Sequence, residues 1–412
     1  MLEYILISVI LIILILLAYI KIKYPFWNNQ PVYHSYDYLR SFYKTPYVIY
    51  DNPIKTKFID REHVKTFELI DENSVEIQDF TDLLQCHYIP SENIVYNIKK
   101  DDIKSIFTGQ SNVSFLSLYN NPYYEVNLDN NEYNIVANKK IIGGISSRKV
   151  NFYFKERTSD TKYTTKGIYF IDFLCVHREQ DYKTLSRKIL QTHEYNQRML
   201  NKSIDVSLIR KENQLFEGIV PLVKFTINNY NLSNMTIPRL NTSIQVVKLT
   251  NTNMNIFQDF FTIYQGNDLK TNIFDIIIIP DIGNILSQIE AQLLHVFCLI
   301  NKDKTLGFYF IKNTKIHYDD DCSDSLELSG SIMNCYDPHI FYVGFLESLR
   351  TIIKNNVDFK KLRIDNLGHN KIIINFWDNI NSPIFITDGG YYLYNFIIPQ
   401  SPLLNDKVLI AL

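Results

Sequence analysis

Cys175 and His177 stand two residues apart at the end of an apolar run, Gly167 to Val176 (GIYFIDFLCV). Alternate residues of a strand share a face, so a thiol and an imidazole at this spacing could meet. A nucleophile also needs a base that a third group orients, and the sequence offers His177 no such partner. Asp319-Asp320-Asp321 with Asp324 could hold a divalent cation through carboxylate oxygens; a solvated acidic loop is the simpler reading. His193, His295 and His369 have no ligand-like spacing, and no metal site is expected. The patterns HExxH, GxSxG, GxxxxGK[ST] and GxGxxG are all absent. What remains is a junction. The apolar run passes through a polar loop, His177 to Thr184, into a stretch where Leu185, Ile189, Leu190 and Leu200 recur at helical spacing. The free backbone N–H groups where such a helix starts can hold an anion, so the junction is a candidate phosphate site.

The elements that must position this junction alternate between strand-like and helix-like stretches from about Lys65 onward, the pattern of an α/β protein. Asn134 to Gly144 (NIVANKKIIGG) reads as strand, tight turn, strand. Phe274 to Ile279 (FDIIII) reads as a buried strand. Leu293 to Ile300 and Thr305 to Ile311 flank Asn301-Lys302-Asp303-Lys304, a hairpin turn. Phe341 to Asn355 reads as a helix and Tyr391 to Ile398 as a further strand. No repeat of 20–50 residues is visible, which excludes a solenoid. The polar stretch Asn228 to Pro238 places a boundary between two halves near residue 235.

At the other end of the chain, Tyr4 to Ile20 (YILISVILIILILLAYI) carries no charge and is apolar on every side. It is near the lower length limit for a membrane-spanning helix and is no amphipathic surface helix. A secretory signal would start with basic residues and end in a small-residue cleavage site; this segment starts Met1-Leu2-Glu3 and runs into Lys21-Ile22-Lys23. An uncleaved anchor is expected, with Lys21 and Lys23 placing the C-terminal part in the cytosol by the positive-inside rule. Five scattered cysteines (Cys86, Cys175, Cys298, Cys322, Cys335) form no paired framework, as expected of reduced thiols in that compartment.

Of 412 residues, 46% are hydrophobic and 21% charged, which excludes wholesale disorder. Lys+Arg 42 against Asp+Glu 44 leaves no basic excess to neutralise phosphates along a duplex, so no nucleic-acid partner is expected.

Four stretches carry a family resemblance: Tyr24-Pro25-Phe26-Trp27-Asn28-Asn29-Gln30-Pro31-Val32; Asp172-Phe173-Leu174-Cys175-Val176-His177; Asp388 to Phe396 (DGGYYLYNF); and the chain end, Asp406 to Leu412 (DKVLIAL). In order and spacing they resemble the eukaryotic N-myristoyltransferases, the glycylpeptide N-tetradecanoyltransferases, with their Y-x-F-W-x-x-Q-P-V start, N-F-L-C-V-H and Y-Y-L-Y-N-W strands and apolar tail. Weaker matches lie at Leu83 to Ile89, at Lys140 to Ser146 and at Asn234-Met235-Thr236. The resemblance covers residues 24 to 412.

It implies an α/β fold of two tandem acetyltransferase-like (GNAT) halves with pseudo-twofold symmetry, preceded by one transmembrane helix. Residues 1–22 are then the anchor, 23–235 an acyl-CoA-binding half and 236–412 a peptide-binding half. The implied reaction transfers a myristoyl group from myristoyl-CoA, a co-substrate, to the N-terminal glycine amine of proteins, with no other cofactor and a monomer as the working unit. The implied catalytic groups are the backbone amides of Phe173 and Leu174, as an oxyanion site, and the terminal carboxylate of Leu412, as the base. The implied CoA site comprises Tyr24, Pro25, Phe26 and Trp27, then Phe173, Leu174, Cys175 and Val176, and the loop Tyr182, Lys183, Thr184, Leu185 and Ser186. An aromatic pair such as Phe26-Trp27 after a membrane helix also suits an interfacial belt. The apolar tail suits either a buried carboxylate or an edge strand.

The chain departs from the family pattern at several points. Asp181-Tyr182-Lys183-Thr184 stands where the family has a basic R-S-K-R loop. Asp172 replaces an Asn, Leu208 falls where a Thr places the amine, and Thr226 to Tyr230 replaces R-Y-W-H-R. The substrate-reading acidic cluster shrinks to about Glu92. These changes leave room for a catalytically impaired binding or structural protein, or for an acyltransferase with another acyl-CoA or amine acceptor.

Overall fold

The computed structural model describes residues 2–43, 45–69, 75–91, 93–129, 132–155, 163–232, 238–265, 273–320 and 322–412. The expected boundary at 235, the match at Asn234-Met235-Thr236, Glu92 and Asp321 lie outside the described residues.

Helix α1 (Leu2–Lys23) stands apart from the rest. Its side chains are exposed along nearly the whole length, and its mean hydropathy reaches 3.1. It is long and apolar enough to cross a membrane. Within the span, Ser8 Oγ donates back to Tyr4 O at 2.8 Å, so its hydroxyl is satisfied inside the helix.

Behind it lies a mixed sheet that counts 15 strands among the described residues. Seven carry the argument: β1 (Glu132–Lys155), β2 (Tyr163–Val176), β3 (Ser207–Glu212), β4 (Val223–Asn231), β5 (Ile276–Pro280), β6 (Phe385–Tyr394) and β7 (Val408–Ile410). Neighbours run in the order β7, β5, β1, β2, β3, β6, β4, then on through Phe359–Asp365 and Ser323–Met333. The buried runs are rich in Ile, Val, Phe and Tyr, as sheets covered on both faces require.

A strand–helix–parallel strand unit occurs twice. In the first, α2 (Tyr182–Leu200) links β2 to the parallel β3. In the second, helix Pro338–Asn355 links Ser323–Met333 to the parallel Phe359–Asp365. The two regions are woven together, because β6 inserts between β3 and β4 while β5 and β7 extend the edge at β1.

One expectation needs correction. Asn134 to Gly144 contains no tight turn: residues 132–155 run as one strand, paired with Phe115–Asp129 down to Asp129 opposite Glu132. Cross-strand pairing here overrides the turn preference of the Asn-Lys-Lys stretch. Asn228 and Asn229, where the polar stretch begins, are buried within β4.

The first and third resemblance stretches hold each other. Tyr394 donates its hydroxyl to Gln30 Oε1 at 2.8 Å. Asn395, with φ +64°, accepts Tyr50 N–H on its side-chain oxygen and donates its side-chain N–H to Tyr50 O and Asp205 O. Asn tolerates the left-handed region better than most residues, and here its amide ties three segments. Phe26 is buried, edge-on to Trp27 at 4.9 Å, and Trp27 packs on Phe216 at 4.6 Å. Phe26 therefore belongs to the protein interior, and Trp27 is half-buried against it.

Candidate active site

β2 and β3 pair in parallel only from Tyr169–Ser207 to Ile171–Ile209 and then part. On its other side, β2 carries a bulge. Ser146 faces Asp172 and Gly144 faces Cys175, so Phe173 and Leu174 oppose the single residue Ile145. Phe173 takes φ +53°, a left-handed conformation that costs an L-residue roughly 1–2 kcal/mol. Its ring offsets this strain, because it is buried against Phe80, Tyr88 and Tyr96. A bulge takes its residues out of ladder pairing and re-aims them, as the Phe173 and Leu174 amides would need in order to meet a ligand. In this structure the Phe173 amide donates to Asp172 Oδ1 at 2.9 Å.

A cavity of about 870 Å³ opens where the strands part. Tyr24, Pro25, Phe26 and Trp27 form one wall, Phe173 and Leu174 another, and Tyr182, Lys183 and Ser186 at the start of α2 a third. Nine of the thirteen residues expected at the CoA site thus border one space. Four do not. Cys175 and Val176 are buried in the core beyond the bulge. Thr184 is exposed and bonds Asp181, and Leu185 packs against the cluster around Phe26.

Asp181 caps α2, accepting Lys183 N–H at 3.1 Å. Its carboxylate competes with a phosphate for the free amides there. Cations that sequence reasoning missed also line the cavity: Lys23, Arg187 and Lys211. Arg187 sits over the Phe26 ring at 5.7 Å. They restore part of the positive charge absent from the Asp181–Thr184 loop.

A second cavity of about 180 Å³ shares Asp172, Phe173 and Arg210 with the first, and Leu412 lines it. The tail reaches it as β7, which pairs in parallel with β5 from Ile276–Val408 to Ile278–Ile410; Ala411 N–H then donates to Ile278 O at 3.0 Å. Ala411 and Leu412 are buried. A Cβ on Gly330 would stand 3.1 Å from both Ala411 Cβ and Ile410 O, so glycine there lets the tail lie close to the facing strand.

Around this second cavity lies a buried ion network. Arg210 reaches Glu327 at 2.8 Å, Glu212 at 2.9 Å and Asp365 at 3.1 Å, and Arg363 reaches Glu212 at 2.7 Å. Burial would raise the Glu327 carboxyl, but Arg210, Arg363 and Lys312 reverse this and hold it well below the usual range. Asp365 goes the other way, raised by burial and by neighbouring carboxylates. Its Oδ2 is buried without a hydrogen-bond partner, a desolvation that disfavours the charged form. Lys312 also lines this cavity, and burial lowers its pKa to about 8. Leu208, expected near the amine, is buried in the core; Arg210, two residues on, borders both cavities. Sequence reasoning missed this network because its members come from three separate strands.

The remaining candidates drop out. The Cys175 thiol is pushed up to about 12 by burial and points to Leu83 O, so it is no nucleophile. Among the described residues no group of three His, Cys, Asp or Glu could hold a metal ion.

No family model and no curated protein sequence matches the chain. Solved structures do. Saccharomyces cerevisiae N-myristoyltransferase with bound myristoyl-CoA superposes with a TM-score of 0.66 at 13% identity, over 92% of this chain and 94% of that one. A structure of the same enzyme with myristoyl-CoA and inhibitors gives 0.64 at 14% identity, over 93% of each chain. The fold is that of an N-myristoyltransferase. At this identity, the N-myristoyltransferase likeness fixes the architecture and leaves the chemistry to the residues in the cavities.

Proposed function

We propose that the chain is an acyl-CoA-dependent N-acyltransferase that moves a myristoyl group from myristoyl-CoA to the N-terminal glycine amine of proteins, and that α1 anchors it in a membrane with the globular part in the cytosol. The observation that carries the reading is that the bulge joins two adjoining cavities: Phe173 and Leu174 border the one walled by Tyr24–Trp27, and Phe173 also borders the one lined by the chain end at Leu412.

In this reading the thioester carbonyl lies at the bulge. The Leu412 carboxylate takes a proton from the glycine ammonium, and the free amine attacks the carbonyl carbon. The oxyanion that forms is held by the amides of Phe173 and Leu174, then collapses to the amide and expels the CoA thiolate, which takes up the proton that the attacking nitrogen sheds. A carboxylate in a dry cavity gains basicity by desolvation, which suits Leu412. Lys23, Lys183, Arg187 and Lys211 line the wall where CoA phosphates would lie. The acceptor enters past the second region, from which Tyr318, Phe385 and Thr387 line the large cavity.

The test is transfer of labelled myristoyl-CoA to an N-terminal-glycine peptide by the full chain, read by mass spectrometry alongside thermal shift. An acylated glycine amine supports the reading. Stabilisation by myristoyl-CoA without transfer supports a second one, a binding protein that no longer turns over. The Asp172–Phe173 hydrogen bond favours that alternative, since a carboxylate sits on an oxyanion donor.

A further inference from the structure

Helix α1 passes into the large cavity without a linker. Tyr24 N–H donates to Ile20 O at 2.9 Å and Asn28 N–H to Tyr24 O at 3.0 Å, so helical bonding runs on from the span into the Tyr24–Trp27 wall. Lys23, the last residue of α1, already lines the cavity. From the same point the fold places a second element beside the end of α1. The Tyr24 ring stacks on Tyr36 at 6.1 Å, Tyr36 stacks on His34 at 5.0 Å, and the Tyr36 hydroxyl donates to Asn28 Oδ1 at 2.9 Å. Two residues later comes the short helix Tyr38–Phe42.

This short helix is apolar on its outside. Tyr38 is 78% exposed, Leu39 76%, Phe42 80% and the following Tyr43 58%. Single exposed apolar residues are ordinary on a protein surface, but four within six positions form a patch that asks for an occupant. The place of the patch names the occupant. Through Tyr36, whose ring stacks on Tyr24, it is tied to the end of a helix that is apolar all round, the end carrying Lys21 and Lys23. Tyr rings prefer the headgroup level of a bilayer, aliphatic and Phe side chains the acyl boundary just below, and lysines the anionic headgroups above.

We propose that the helix Tyr38–Phe42 beds into the phospholipid interface beside α1, and that these two contacts hold the mouth of the large cavity against the bilayer. The proposal rests on reading α1 as a membrane anchor. One contact leaves a domain free to swivel about its tether; a second, off the axis of α1, fixes which face meets the membrane. Acyl-CoA partitions to bilayers through its acyl chain, so a cavity starting at Lys23 would draw its donor from the surface it stands on.

The test uses the full chain with exposed Cys86 and Cys322 replaced by serine, reconstituted in phosphatidylcholine–phosphatidylserine nanodiscs. An environment-sensitive fluorophore is attached in turn to L39C and to V357C, an exposed position in the second region. The expected result is blue-shifted, severalfold brighter emission at position 39, quenched by doxyl-labelled lipid, with water-like emission at position 357. Carbonate extraction of the same protein from vesicles reads the anchor separately. If the protein resists carbonate while position 39 is as water-exposed as position 357, the interfacial helix is refuted and the anchor stands. If carbonate releases the protein, both are refuted.

Discussion

Asp172 sits one residue before the two amides that would hold an oxyanion, and its carboxylate accepts the Phe173 N–H at 2.9 Å. A negative charge about 4 Å from a forming oxyanion costs on the order of 1–4 kcal/mol, depending on how well water screens it. Asp172→Asn removes the charge and keeps the shape. We expect kcat to rise about tenfold, with binding of myristoyl-CoA unchanged. A fall in kcat would instead make Asp172 a participant in proton transfer. A second residue-scale prediction concerns His193, fully buried with Nδ1 2.8 Å from Ser117 Oγ. Burial lowers its pKa to about 3 from 6.5. Its folded value lies below its unfolded one, so its contribution to stability is full above pH 6.5 and is lost as pH falls from 6.5 towards 3. Between pH 6.5 and 5 that loss is about 2 kcal/mol. Urea unfolding of wild type and His193→Gln should therefore converge by about this amount on going to pH 5. Spacing in the sequence argued only against a ligand role for His193, because a buried neutral imidazole and an exposed one look alike on a helix with mixed spacing.

At the scale of the element, the bulge in β2 is the decisive feature. Leu174→Pro deletes one amide donor, and loss of one such donor costs about a hundredfold or more in kcat. Leu174→Ile keeps the donor and should retain most activity. Circular dichroism of both variants separates lost chemistry from lost fold. Phe173→Gly relieves the left-handed strain, worth roughly 1–2 kcal/mol, but empties a buried ring site worth roughly 3–5 kcal/mol. It should be net destabilising by about 1–4 kcal/mol in urea unfolding. Much at this scale was legible. The run Gly167 to Val176 became the end of a strand, the helical spacing from Leu185 became α2, and Asn301 to Lys304 became a hairpin turn. The bulge was not, because its only trace is a register slip that depends on β1 across the ladder. Neither was the Arg210 network, since Glu212, Glu327, Arg363 and Asp365 meet only after the sheet has closed.

At the scale of the molecule, the two ends of the chain do different work. From Glu3 to Lys23 the helix is not buried inside the fold, so deleting residues 2–20 should give a water-soluble protein with unchanged far-UV signal from the sheet and unchanged myristoyl-CoA binding. The C-terminus is the opposite case. Val408 to Leu412 is apolar because it is buried, with Val408–Ile410 forming a covered edge strand, and burial of that tail was readable from composition alone, while its place on a cavity shared with Phe173 was implied only by the resemblance. The most direct test of the mechanism appends two glycines after Leu412, which moves the carboxylate away and leaves a neutral amide in its place. The first-region walls of the large cavity are untouched, so myristoyl-CoA should still stabilise the extended protein in a thermal-shift assay. Transfer to a glycine peptide should fall about a hundredfold to ten-thousandfold. An extended protein that binds myristoyl-CoA and turns over at the unextended rate would contradict the account.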